Sequence, residues 1–328
     1  MAVDRFGRNI HYLRISLTDR CNLRCVYCMP ENMSFEPTAH LLQYDEILTL
    51  MRVFVDLGFD KFRLTGGEPT VYPDIVDLVG EMRGILGPEG RIAMTTNAVL
   101  LPNLAEPLAR AGLNRCNISL DTLDRERFKA ITRRDRVEDV FAGIRAAEEA
   151  GLLPVKINTV VVRGFNDEQD EVAIAALSID NDWHVRFIEM MPFGEVADFQ
   201  QSQIVTEQEL IERIECALGP LEPMYGGRVI GEARLFRLAG SRGHLGFISS
   251  VTQPFCASCT RARLTADGRL RLCLLRDGEV DVLTPLRQGA TETELKAIIR
   301  DAVWHKPWGH GLQQNVIPVG RVMSQIGG

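Results

Sequence analysis

Thr18-Asp19-Arg20-Cys21-Asn22-Leu23-Arg24-Cys25-Val26-Tyr27-Cys28-Met29-Pro30 follows directly on a β-rich, apolar stretch at residues 13–17. Cys21, Cys25 and Cys28 are spaced x3 and x2, so one short loop offers three thiolates. Three thiolates can hold three irons of a cubane cluster and leave the fourth open, whereas four-iron clusters that only carry electrons normally have four protein ligands. An open iron points to chemistry at the metal. The competing readings are weaker. Disulfides do not suit a chain that opens without a signal peptide and reads as cytoplasmic. Structural zinc wants four ligands, and no His or further Cys lies close by. A thioredoxin-like pair needs only two cysteines.

Outward from this loop, strands and helices alternate. Strands are expected at residues 13–17, 61–65, 91–94, 116–120, 155–162 and 185–189. Helices are expected at 44–57, from Pro73, and at 103–111, 138–150 and 168–177, with Gly58 and Gly151 as stops. Serial βα units imply a parallel sheet with right-handed crossovers. A doubly wound sheet and a barrel both fit that order. The polar motifs favour the barrel, because nearly every strand is followed by a functional-looking loop. These are the Cys loop, Gly66-Gly67-Glu68-Pro69, Thr95-Thr96-Asn97 and Ser119-Leu120-Asp121. Barrel loops at strand C-termini converge on one mouth. The expected fold is therefore α/β, an incomplete (β/α)6 barrel of the TIM type over residues 1–220. A smaller C-terminal domain, 221–328, follows a helix at 207–218.

At 328 residues, 45% hydrophobic and 25% charged, the chain can bury a large core. No apolar run is long enough to cross a bilayer, and a net charge of −7 argues against a general nucleic-acid binder. An anionic substrate would need a local cluster of cations. Cys116 and Cys216 read as buried thiols, Trp183, Trp304 and Trp308 as packing residues, and Arg133-Arg134-Asp135-Arg136 as a solvated loop.

The Cys loop with Tyr27 before its last cysteine, the Gly-Gly-Glu-Pro turn and Ser119-Leu120-Asp121 together resemble the radical S-adenosylmethionine superfamily, over most of residues 10–195. The resemblance implies a [4Fe-4S] cluster on Cys21, Cys25 and Cys28 whose open iron chelates S-adenosylmethionine. It implies cofactor contacts at Tyr27, Gly67, Ser119 and Met191. Read alone, the glycine turn is a plain turn before a helix, and Ser119 a helix cap.

The second part carries Cys256-x2-Cys259-x13-Cys273, with Arg261 and Arg263 on one side of a strand. Guanidiniums suit phosphate or planar anions. A zinc ribbon completed by His244, His305 or His310 competes, although ribbons usually show two Cys pairs and one is visible here. Two three-Cys loops, Arg261-x-Arg263 and a terminal Gly327-Gly328 narrow the resemblance to the branch of the superfamily that cyclises GTP at the start of molybdenum cofactor biosynthesis. That branch implies a second [4Fe-4S] cluster on Cys256, Cys259 and Cys273, with guanine at its open iron. It implies GTP contacts at Arg14, Arg63, Thr95, Lys156, Arg261, Ala262 and Arg263. It assigns catalytic roles to Cys21, Cys25, Cys28, Arg186, Gly327 and Gly328, the glycine tail reaching into the site. Cations on inner strands are costly without an anion, so the group says more than any member. Arg186 and Met191 have opposite parity, so Met191 must lie beyond its strand to face the same cavity.

The branch commonly reads Thr-Thr-Asn-Gly after strand three. This chain has Ala98 there, so a loop that needs φ > 0 has to adjust. Expected partners are GTP, S-adenosylmethionine, an external electron donor and the cyclic pyranopterin monophosphate synthase as recipient of the product. The chain is expected to be cytoplasmic, monomeric or homodimeric, with no membrane or nucleic-acid partner. Two other readings remain. Radical peptide modifiers with auxiliary clusters usually carry more cysteines in this part. A zinc-dependent structural or nucleic-acid-binding protein sits poorly with the acidic balance.

Overall fold

The computed structural model describes residues 1–193, 201–312 and 316–327. Six strands form its centre: β1 (Tyr12–Ser16), β2 (Lys61–Thr65), β3 (Arg91–Thr96), β4 (Arg115–Ser119), β5 (Lys156–Val161) and β6 (His184–Glu189). They lie side by side in chain order, all parallel. Helices α1 (Tyr44–Asp56), α2 (Ile75–Leu86), α3 (Leu101–Ala111), α4 (Arg125–Thr132), α5 (Val137–Glu149) and α6 (Asp170–Asp180) fill the crossovers. This is the expected α/β partial barrel.

Strand parity divides the sheet into two faces. Leu13, Ile15, Phe62, Leu64, Ile92, Met94, Cys116, Ile118, Ile157, Val185 and Phe187 point outward, almost wholly buried. They meet apolar stripes such as Ile47, Leu50, Met51 and Phe54 of α1. Each fully buried side chain of this kind contributes roughly 1.5–3 kcal/mol. The inner face is polar, so the barrel holds a chamber where other barrels pack a core.

Residues beyond 220 continue the same sheet at both edges. After α7 (Glu207–Leu218) come β7 (Leu221–Pro223), β8 (Val229–Ile230), β9 (Ala233–Leu238) and β10 (His244–Ile248). Strand β10 adds parallel to β6 and then pairs antiparallel with β9. At the opposite edge β11 (Arg261–Leu264) adds parallel to β1, followed by β12 (Arg269–Arg271) and β13 (Glu279–Asp281). Helices α8 (Leu283–Arg287) and α9 (Glu292–Trp304) follow.

Most element boundaries fall within two residues of expectation, and the exceptions have local causes. Helix α2 begins at Ile75, later than Pro73. The Glu68 side chain caps a 3-10 turn at Pro69–Val71, and Asp74 takes the left-handed conformation at φ 55°. Helix α4 was not anticipated; Asp124 caps it by accepting from the Arg127 amide. Cys216, expected to be buried, is exposed, because α7 turns Leu210 and Ile214 inward and Cys216 away. The loop after β3 makes no adjustment: Ala98 itself adopts φ 63° and is fully buried. A non-glycine residue there carries strain of roughly 1–2 kcal/mol.

Gly143 of α5 makes the room that Ala98 needs. A Cβ at Gly143 would lie 2.2 Å from the Ala98 carbonyl oxygen and 2.9 Å from the Ala98 Cβ. Gly143→Ala is expected to destabilise the fold by about 1–3 kcal/mol. Urea titration should show a lower midpoint at unchanged slope; an unmoved midpoint would mean that α5 shifts freely.

Candidate functional site

Parallel register carries the inner-face positions round the barrel. Arg14 stands opposite Arg63, Arg63 opposite Ala93, and Ala93 opposite Arg115. Asn117 stands opposite Lys156, and Asn158 opposite Arg186. Across the other edge Tyr12 faces Arg261 and Arg14 faces Arg263. Seven cations therefore share the inner face: Arg14, Arg63, Arg115, Lys156, Arg186, Arg261 and Arg263. Arg63 donates to Thr95 Oγ1 at 3.2 Å and to the Tyr12 hydroxyl. Ala262 has the opposite parity and lies in the apolar core, so only its backbone is available to a ligand.

Above this ring lies a cavity of about 300 Å³, within the range of small-molecule sites. Cys21, Cys25, Cys28, Cys256, Cys259 and Cys273 all line it, together with Tyr27, Gly67, Thr95, Ser119, Met191, Arg14, Arg63, Arg261 and Arg263. Met191 lies past the end of β6, as the parity argument required. Asn117 is 1% exposed, and among the described residues neither its Nδ2 nor its Oδ1 has a hydrogen-bond partner; Asn158 Oδ1 is likewise orphaned there. Both asparagines face the cavity. Buried polar atoms are rarely left unpaired, so this wall suits a polar ligand.

The first Cys loop is held from three sides. Arg24 and Val26 amides donate to the Thr132 and Ile131 carbonyls at the end of α4, each at 2.9 Å. Arg133, exposed like Asp135 and Arg136, donates to the Arg24 and Met29 carbonyls, so the loop is solvated as read and also touches the backbone around the first cysteines. The glycine turn docks beneath: Gly67 N donates to Thr18 O at 2.7 Å and Glu68 N to Arg20 O at 2.8 Å. A Cβ on Gly67 would lie 2.2 Å from the Arg20 carbonyl oxygen, so only glycine permits that approach. Glu68 accepts from Thr70 N and Oγ1, Thr96 Oγ1 and Asn97 N. Asn97 in turn reaches Cys21 Sγ at 3.7 Å. Tyr27 donates to Asp121 at 2.6 Å, and burial raises the Asp121 carboxyl to about 6.

The thiols of this loop fit an iron-sulfur cluster. Burial pushes Cys21 up to about 11 and Cys28 up to about 12, and the cysteines raise one another. Such thiols stay protonated until a cation binds and releases their protons. Among the described residues, no three His, Cys, Asp or Glu side chains converge closely enough for one metal ion. A cubane, with one thiolate per iron, needs its cysteines spread apart.

The second Cys loop is anchored by Arg8, which donates to the carbonyls of Cys256, Pro307 and Trp308. Burial works to raise Cys259, but Lys306 and Arg261 bring it down to about 7. Of the three histidines considered for zinc, only His310 lines the cavity; His244 stacks on His184, and His305 is exposed.

Two features close the chamber. Arg263 donates to the Gly327 carbonyl at 2.6 Å, drawing the tail inward, and Ile326 is fully buried. Gly327 has φ 73°, and a Cβ there would lie 2.3 Å from Thr65 Oγ1. Gly328 lies outside the described residues. Glu232, in the two-residue turn between β8 and β9, pairs with Arg261 at 3.0 Å, Arg186 at 3.3 Å and Arg14 at 3.4 Å. Burial works to raise its carboxyl, but Arg14, Arg261, Arg63 and Arg186 hold it well below the usual carboxylate range. Burial, with Arg186, Arg115 and Arg63 behind it, pushes Lys156 down to about 7.

Sequence reasoning missed Glu232, Asn117, Asn158 and Arg115. Arg115 and Asn117 of β4 were legible in principle: Arg115, Asn117 and Ser119 alternate with Cys116 and Ile118. No local signal marks Glu232.

Comparison with known proteins agrees with this geometry. Residues 15–176 match the model of the Radical SAM superfamily, and residues 183–312 match Molybdenum Cofactor Synthesis C. The chain is 49% identical to the GTP 3′,8-cyclase of Moorella thermoacetica and 46% identical to that of Thermodesulfovibrio yellowstonii, each over 99% of both chains. Among solved structures, Streptococcus suis SuiB bound to S-adenosylmethionine superposes with a TM-score of 0.57. It covers 94% of this chain and 68% of its own at 17% identity, a likeness of fold. With near-half identity along its full length and both family segments in place, this chain belongs to the GTP 3′,8-cyclase family of radical S-adenosylmethionine enzymes.

Proposed function

We propose that the chamber converts GTP to (8S)-3′,8-cyclo-7,8-dihydroguanosine 5′-triphosphate, the first step of molybdenum cofactor biosynthesis. One observation carries this: both Cys triplets and four strand-borne arginines, Arg14, Arg63, Arg261 and Arg263, line a single cavity. Cys21, Cys25 and Cys28 would hold the cluster that binds S-adenosylmethionine, and the bound cofactor supplies a hydrogen-abstracting radical by one-electron cleavage. Tyr27, Gly67, Ser119 and Met191 would orient that cofactor. Cys256, Cys259 and Cys273 would hold a second [4Fe-4S] cluster facing the guanine. Arg14, Arg63, Thr95, Lys156, Arg261 and Arg263, with the Ala262 backbone, would hold the phosphates and purine.

Anchoring a triphosphate far from the reacting carbon fixes the ribose, so hydrogen leaves C3′ with C8 of the base already in reach. Arg186 would act beside that path, and the Gly327-Gly328 tail would complete it. The division into a barrel at 1–220 and a cluster-bearing part at 221–328 follows the same reading. So do a cytoplasmic setting, an external electron donor and hand-off to the pyranopterin-forming synthase.

Anaerobic protein reconstituted with iron and sulfide should bind about eight irons per chain. Given GTP, S-adenosylmethionine and dithionite, it should yield a cyclised nucleotide isomeric with GTP by mass analysis. Intact GTP beside cleaved cofactor would exclude this substrate.

Lys156 adds a pH signature. A phosphate beside it must raise its depressed value, so GTP binding takes up a proton above about pH 7. Affinity should then fall between about pH 7 and pH 9, and calorimetry in buffers of different ionisation heat should register the uptake. In Lys156→Met the uptake should shrink; equal uptake in both proteins would remove Lys156 from the phosphate site.

Gly327→Ala should expel the tail, given its positive φ and the contact with Thr65 Oγ1. Turnover should fall at least about tenfold, ~1.4 kcal/mol of barrier, with faster hydrogen exchange over residues 323–327. Normal turnover would make the tail a bystander.

A further inference from the structure

Glu232 puts an anion at the cation cluster that the reaction does not call for. It sits at the second position of the two-residue turn Gly231-Glu232, fixed by the pairing of Ile230 with Ala233. Gly231 has φ 69°, which suits a tight hairpin turn. The turn thrusts its carboxylate into the cavity, where the side chain is 13% exposed. Three guanidiniums from three different strands, Arg14 of β1, Arg186 of β6 and Arg261 of β11, close on that one carboxylate.

Buried cations without an anion are expensive, and a single buried carboxylate offsets part of that cost. It does so incompletely, since Arg63, Arg115 and Lys156 crowd the same space. A polyphosphate offers these guanidiniums more charge and more acceptor oxygens, in the paired geometry they favour. The carboxylate and a phosphate group cannot both take the same three donors.

The hairpin that carries Glu232 is lightly held. Strand β8 is two residues long and pairs only with β9 among the described residues. Just before it Tyr225, Gly226 and Gly227 follow one another at positive φ. Tyr225 and Ile230 are exposed. A short outer strand after three left-handed residues can swing without disturbing the barrel.

We propose that Glu232 is a resident counter-ion: its carboxylate occupies the phosphate-binding guanidiniums until a polyphosphate displaces it, so the hairpin tip sets the affinity and the charge requirement of the nucleotide site. This rests on the reading that the nucleotide's phosphates use the cation cluster.

The test compares wild type with Glu232→Gln, both reconstituted anaerobically, by titration with GTP, inorganic tripolyphosphate and guanosine. Expected is at least fivefold tighter binding of GTP and of tripolyphosphate to the variant, with guanosine unchanged. Without ligand, the variant should melt at a lower temperature, because its cations have lost their partner. In wild type, tripolyphosphate should speed hydrogen exchange over residues 225–234 as the tip is released.

Unchanged or weaker tripolyphosphate binding to Glu232→Gln overturns the proposal, and so does a hairpin whose exchange ignores tripolyphosphate. Should Glu232→Gln fail to fold, Glu232→Asp is a gentler probe: its shorter carboxylate cannot reach all three guanidiniums, and tripolyphosphate should bind it more tightly than wild type. Failure of wild type to bind GTP while tripolyphosphate behaves as expected would count against GTP as substrate and leave the counter-ion role standing.

Discussion

Positive charge buried inside the barrel is the constraint on which the rest of this structure depends. Arg14, Arg63, Arg115, Lys156, Arg186, Arg261 and Arg263 share one face of a parallel sheet because register and parity leave them no other. Charged groups taken out of water need partners or lose their charge. Both responses occur here. Lys156 is depressed to about 7, and Glu232 is drawn in from the hairpin between β8 and β9. A barrel whose interior were apolar would be more stable and would hold no nucleotide.

The chamber is assembled from segments far apart in sequence. Strand β1 and its Cys loop meet β11 and the second Cys loop at one edge, while β10 and the Glu232 hairpin arrive at the other. The tail then enters from above and is held by Arg263. Each Cys loop is fastened by an arginine to backbone carbonyls, Arg133 for the first and Arg8 for the second. Clamping through backbone carbonyls leaves the cysteine side chains unclaimed by these two arginines.

Much of this was legible in the order of residues. Alternation of β-rich and helical segments predicted the parallel sheet, because period-two and period-3.6 patterns are local. Placing the polar motifs after successive strands predicted a common mouth. Parity put Arg261 with Arg263 and required Met191 to lie beyond β6. The readings of Ala98 and Cys216 needed revision, each where a neighbour overrode a local signal. Ala98 keeps the left-handed conformation because Gly143 leaves space for its methyl group. Cys216 faces water because α7 buries a different stripe.

The sequence by itself determined the chemistry on offer: two triplets of thiols, a set of strand-borne cations and a glycine-rich turn, each written within a few adjacent residues. Local spacing suffices for that, since which atoms share a loop or a strand face depends on near neighbours alone. Tertiary structure alone decided which of these groups share a cavity, that Glu232 sits among three guanidiniums, and that the Asn117 amide and the Asn158 Oδ1 have no hydrogen-bond partner among the described residues. Those facts follow from how strands at opposite ends of the chain meet at the sheet edges, and burial and charge pairing across such distances leave no trace in any short stretch of sequence.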